Sequence, residues 1–73
     1  MVKLGKYKHF KGKDYEIVGV ARHSETLEEM VIYKALYDSE EFGNNSVWVS
    51  PKAMFFETVI LDGKKVPRFE FIQ

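Results

Sequence analysis

Apolar and polar residues alternate along this chain in short blocks of period two, the pattern of half-buried strands. Gly5 to Phe10 is the first predicted strand, with Tyr7 and His9 on one face and Lys6, Lys8 and Phe10 on the other. Lys11-Gly12-Lys13 reads as a short turn. Tyr15 to Arg22 follows as a second strand rich in β-branched residues, and Gly19 in its middle predicts a bulge or sharp bend.

The next block supports two readings. Thr26-Leu27-Glu28-Glu29 fits a capping box, and Leu27, Met30, Val31 and Ala35 would make a helical stripe. Met30 to Tyr33 instead favours extended structure, and Tyr33, Ala35 and Tyr37 alternate with Ile32, Lys34 and Leu36. The alternation favours a strand from about Glu29 to Tyr37. Asp38 to Ser46 is an acidic, Gly/Asn-containing loop and the stretch expected to be mobile.

Val47 to Val49 forms another short strand. Ser50-Pro51 resembles an N-cap followed by proline at the first helical position, predicting one helical turn over Pro51 to Phe55. Glu57 to Leu61 and Lys64 to Val66 flank Asp62-Gly63, a two-residue hairpin turn, and Pro67 confines the second of these strands to a sheet edge or ends it. Phe69 and Phe71 alternate with Arg68 and Glu70 in a last extended segment. Five or six short antiparallel strands with one helical turn near Pro51 predict a mostly-β fold, a small SH3-like barrel. Met54, Phe55, Phe56, Phe69 and Phe71 are its simplest core.

Seventy-three residues imply a single domain, 1–73. A chain this short buries only about 60% of its unfolded surface, which six Phe, four Tyr and one Trp partly offset. The absence of cysteine excludes disulfides, thiolate zinc sites and thiol catalysis. No signal pattern opens the sequence, and nothing approaches the roughly 18-residue apolar run of a membrane span. A cytoplasmic location without membrane contact is expected, and no cofactor is implied.

The formal charge is zero but segregated. Lys3, Lys6, Lys8, Lys11 and Lys13 give residues 1–13 a charge of +5, residues 14–62 carry −7, and residues 63–73 carry +2. The lysine run has two readings: a lure for a phosphate-bearing partner, or the solvent face of an edge strand.

Candidate chemistry concentrates in Arg22, His23, Ser24, Glu25 and Thr26, which bring donors, acceptors, both charge signs and a group titrating near neutrality. Arg22 could clamp an anionic group. Tyr7, His9, Tyr33 or Trp48 could wall the site and stack against a flat or apolar part. A binding module for an anionic or aromatic ligand is the leading expectation, with a nucleotide, a short single-stranded nucleic acid or a peptide as candidate partners. The acidic middle disfavours a long polyanion. A small hydrolase or isomerase using His23 with Ser24 or Glu25 is the alternative, although adjacent residues on a strand face opposite ways and form no dyad while extended. A third reading is a structural or protein–protein module, with a possible homodimer. Two histidines, His9 and His23, with a nearby Glu or Asp make only a weak case for a metal site, and none is assigned.

Tyr7-Lys8-His9-Phe10-Lys11-Gly12, Val20 to Thr26, Tyr33-Lys34-Ala35-Leu36-Tyr37, Trp48-Val49-Ser50-Pro51, Met54-Phe55 and Val66-Pro67-Arg68-Phe69 come in an order that resembles the small bacterial domain of unknown function 1653 family. The resemblance covers nearly the whole chain and implies no activity, substrate or cofactor. The family pattern carries a basic residue between the Trp-Val pair and the proline, where this chain has Ser50, and the Asp38–Ser46 loop is longer than the family's.

Overall fold

The structure, a computed structural model, describes residues 2–73. Its strands are β1 (Gly5–His9), β2 (Asp14–Arg22), β3 (Glu29–Ala35), β4 (Asp38–Ser39), β5 (Gly43–Asn44), β6 (Val47–Pro51), β7 (Thr58–Leu61), β8 (Lys64–Pro67) and β9 (Phe69–Phe71), with one helical turn, α1 (Lys52–Phe55), between β6 and β7. The mostly-β, antiparallel expectation holds. β6, β3, β2, β1 and β9 lie in that order in one sheet, while β4–β5 and β7–β8 are separate hairpins.

Local signals act where the sequence places them. Gly12 takes a φ of 104°, letting its N–H reach the His9 carbonyl in the β1–β2 turn. Asp62 and Gly63 both have positive φ, 51° and 77°, the backbone of a type I′ hairpin between β7 and β8. The β2–β3 register shifts between Ile17 and Gly19, so Val18 is the extra residue of a bulge. The ambiguous block is extended, as β3, and stops at Ala35, two residues short of Tyr37.

Other expectations need correction. The mostly-β part of the expectation holds without a closed barrel: β6 and β9 are the two edges of the five-stranded sheet. The chain between them goes into α1 and into the β7–β8 hairpin, and no strand pairing among the described residues joins one edge to the other. The lysine-rich β1 is not an edge strand but lies between β2 and β9. Ser50 does not cap α1. It remains paired with Val31 inside β6, its hydroxyl donates to the Pro51 carbonyl, and Pro51 takes the N-cap position. The Asp38–Ser46 loop contains the small β4–β5 hairpin.

The core lies on one face of the sheet, beneath α1. Tyr7, Ile17, Val31, Ala35, Phe55 and Phe69 are buried, with Val2, Tyr15 and Tyr33 packed around them. Phe55 is the only buried residue of α1 and stacks parallel on Phe69, ring centroids 4.0 Å apart. Met54, Phe56 and Phe71, expected in the core, are not buried in it: Met54 is half-exposed, and Phe56 and Phe71 pack at its rim against Tyr7. Of the four residues of α1, Phe55 is the one turned into the core.

Candidate functional site

The strand registers gather side chains onto this inner face. Trp48 of β6 is opposite Tyr33 of β3, Tyr33 is opposite Ile17 of β2, and His9 of β1 is opposite Phe69 of β9. Directly opposite residues on antiparallel strands share a face, with Cβ atoms about 5 Å apart. A groove opens there. His9, Tyr15, Tyr33, Ser50, Met54, Arg68 and Phe69 line one part of it, about 250 Å³ in volume. Tyr15 and Tyr33 continue into a second depression of about 220 Å³ that Tyr37 and Trp48 complete.

Arg68 supplies the charge. Its amide N–H donates to the Glu57 carbonyl at 2.9 Å, and its own carbonyl accepts from the Phe10 amide at 2.9 Å, which pins the backbone on both sides. The guanidinium pairs with the Glu57 carboxylate through Nη2. Its Nε–H is buried and finds no hydrogen-bond partner among the described residues. An orphaned donor of this kind costs about 1–3 kcal/mol.

His9 sits beside Arg68. Its Nδ1 accepts the Lys11 amide at 3.1 Å, which leaves Nε2 to carry the proton of the neutral ring. Burial lowers its pKa, and the positive charges of Arg68 and Lys11 lower it further, so His9 is a neutral donor at pH 7. Tyr15 and Tyr33 stay protonated as well. Burial raises Tyr15, reinforced by a 2.7 Å hydroxyl–hydroxyl hydrogen bond to Tyr37, and burial also raises Tyr33.

The residues singled out from sequence divide into three groups. Trp48 and His9 line the groove. Tyr7 does not; it is buried in the core, its hydroxyl donating to the Lys3 carbonyl at 2.7 Å. Arg22 ends β2, paired with Glu29, and His23, Ser24, Glu25 and Thr26 begin the exposed connection to β3, apart from the groove. Much of that connection's polarity is directed at its own backbone. Arg22 Nη1 donates to the Leu27 carbonyl at 2.9 Å, His23 Nδ1 accepts the amides of Glu25 and Thr26 at 3.1 and 3.4 Å, and Thr26 Oγ1 accepts the Glu28 amide at 3.2 Å. These bonds hold Leu27 at a φ of 65°, a conformation that L residues with a Cβ seldom adopt.

The lysine run is similarly dispersed. Lys8 pairs with Asp14 at 3.6 Å, Lys3 lies over the Phe71 ring and Lys13 over the Tyr37 ring. No group of three or more His, Cys, Asp or Glu residues able to hold a metal ion occurs among the described residues. No described helix is long and apolar enough to cross a membrane.

Tyr15, Tyr37, Ser50, Met54, Arg68 and Phe69 were not singled out as site residues from sequence. The available signal was faint: an arginine between Pro67 and Phe69 in an alternating apolar segment, and tyrosines at inward positions of two paired strands. Fold and site together define a small mostly-β domain with an aromatic groove and one arginine. The chain matches the family model described as "Protein of unknown function (DUF1653)" over residues 5–71 and belongs to that family. It is similar to the crystal structure of a protein of the same family from Bordetella bronchiseptica, at 31% sequence identity and a TM-score of 0.86, covering 97% of this chain and 87% of that one. No curated protein matches the chain.

Proposed function

We propose that this domain is a small binding module and that its ligand lies in the groove along His9, Tyr33 and Arg68. The observation that carries this reading is the buried, unpartnered Nε–H of Arg68 beside a depression walled by aromatic rings. A ligand carboxylate or phosphate oxygen would satisfy that donor and remove its desolvation cost. The neutral His9 would add a second donor, and the rings of Tyr33 and Phe69 a surface for a flat or apolar part. Glu57 offsets the Arg68 charge, and Asp38, Glu40 and Glu41 follow Tyr37 with no basic residue before Ser46. Both features favour a small ligand over an extended polyanion. The fold is an open relative of the SH3-like barrel, and the cysteine-free sequence suits the bacterial cytoplasm.

The test is an amide and Arg68 Nε–H chemical-shift titration with acetate, mononucleotides, short single-stranded DNA and RNA, and a mixed peptide pool. Saturable shifts at Arg68, His9 and Tyr33 are expected. Shifts confined to Arg22–Thr26 would return the site to that loop. A silent protein would leave binding by these ligand classes without support.

A second reading, a protein–protein module, draws on the β6 edge, where Val47 and Val49 are 62% and 59% exposed. It predicts a dimer in sedimentation equilibrium that Val49→Lys dissociates. The hydrolase or isomerase reading has no comparable observation behind it, because His23 Nδ1 already accepts two backbone amides.

A further inference from the structure

The second depression of the groove has four walls, and all four are aromatic: Tyr15, Tyr33, Tyr37 and Trp48. The tyrosine rings stand close to right angles, 71° between Tyr15 and Tyr33 and 86° between Tyr15 and Tyr37, with centroids 5.6 and 5.5 Å apart. At these distances the rings are in edge-to-face contact, so they form adjoining walls of the depression rather than opposite ones.

The box is also held in place. The Tyr15 and Tyr37 hydroxyls are tied together at 2.7 Å. The Trp48 indole N–H donates to Ser46 Oγ at 2.9 Å, and Phe42 packs edge-on against the indole with centroids 4.9 Å apart. Such bracing reduces the ordering cost of binding. A volume of about 220 Å³ falls below the roughly 300 Å³ at which drug-sized pockets begin, so the box suits a head group rather than a whole ligand.

Aromatic faces carry negative charge density, and a ring of them attracts a cation that has no N–H to satisfy. The acidic neighbours agree in sign: Asp38 directly follows Tyr37, and Glu40 and Glu41 lie in the hairpin turn that carries Phe42. The Lys13 ammonium, 4.8 Å from the Tyr37 ring centroid, is the cation a ligand has to displace or outcompete at that ring. The adjoining depression, sharing Tyr15 and Tyr33, holds Arg68 with its unpartnered donor.

We propose that Tyr15, Tyr33, Tyr37 and Trp48 form an aromatic cage for the trimethylammonium group of a small betaine-type zwitterion whose carboxylate extends toward Arg68. The cation is attracted by the ring faces and the acidic hairpin, and the carboxylate by the Arg68 Nε–H. The inference rests on the groove being the binding site and adds the identity of the ligand's other end.

The experiment titrates the full chain with glycine betaine, tetramethylammonium, acetate and 3,3-dimethylbutanoate, the last replacing betaine's cationic nitrogen with carbon. Trp48, the chain's one tryptophan, reports by fluorescence, and chemical shifts report on the tyrosines and Arg68. Betaine should move both ends of the groove, tetramethylammonium the cage alone, and 3,3-dimethylbutanoate should bind at least about tenfold more weakly than betaine. Trp48→Leu and, separately, Tyr37→Leu should each weaken betaine binding about tenfold, while Arg22→Ala leaves it unchanged. Equal affinity for betaine and its carbon analogue would overturn the cage. So would acetate shifting Arg68 while neither cation moves Trp48, although the anion-binding groove would then stand. If no probe moves either end, the cage is overturned, and the groove is left to the nucleotide, nucleic-acid and peptide titrations. A trimethyllysine peptide that binds where betaine does not would replace the small zwitterion with a protein ligand.

Discussion

Phe55→Ala removes the one side chain that α1 contributes to the core, and its cost can be worked from the packing. The ring is fully buried, lies flat on Phe69 with 2° between planes, and meets Tyr7 and Tyr33 edge-on at 5.7 and 5.2 Å. A buried aromatic of about 200 Å² at about 25 cal/mol per Å² contributes about 5 kcal/mol. Alanine retains part of that, and comparable truncations cost about 3–5 kcal/mol. A 73-residue domain has only about 4–11 kcal/mol in total, so the variant should sit at the edge of unfolding. Phe55→Leu keeps most of the apolar area and loses ring–ring terms of about 0.5–1.5 kcal/mol. Each kcal/mol lowers the Tm by about 4–8 °C in a domain of this size. Urea unfolding followed by far-UV circular dichroism, with Trp48 fluorescence as a second probe, measures both variants. The reasoning is refuted if Phe55→Ala costs no more than the roughly 1 kcal/mol of an average substitution at an unchanged m-value.

Two further perturbations probe the frame around the groove. A Cβ at Gly5, which has a φ of 135°, would meet the Gln73 carbonyl oxygen at 2.6 Å, so Gly5→Ala should dislodge the chain end beyond β9 and cost about 1–3 kcal/mol; hydrogen exchange should show lost protection at Ile72, whose amide bonds the Lys6 carbonyl. Because folding lowers the pKa of His9 below 6.5, the unfolded chain binds its proton more readily, so stability is full above that value and falls as pH drops through it toward the folded value. His9→Gln should flatten this part of the stability–pH curve, and an unchanged slope in urea melts from pH 7.5 to 5 would count against the His9 assignment.

Features set by a few neighbouring residues were legible in the sequence. Asp62-Gly63 can supply two positive φ angles side by side, Gly12 a third, and Gly19 adjoins the bulge its lack of a side chain suggested. Period-two alternation put Tyr7 and His9 on one face of β1 and identified every strand but β4 and β5, because side-chain direction along a strand depends on the backbone alone, yet which face turns inward was left to the structure. The cluster from Arg22 to Thr26 stood out for its composition, yet the structure spends much of its hydrogen bonding on the loop's own amides. Composition cannot say whether a polar group faces its own chain or a partner.

Strand order is where the sequence by itself stops. β9 lies against β1 across sixty residues of chain, and that pairing brings Phe69 opposite His9 and carries Arg68 to the groove. β6 lies against β3, and that register sets Trp48 opposite Tyr33. Which strand joins which edge is a balance of pairing, loop closure and burial over the whole chain, so no local window encodes it. Turns, bulge and inward faces were therefore determined by the sequence segment by segment, while the groove, the unpartnered donor of Arg68 and the aromatic box were decided only when distant strands paired and α1 closed over their common face.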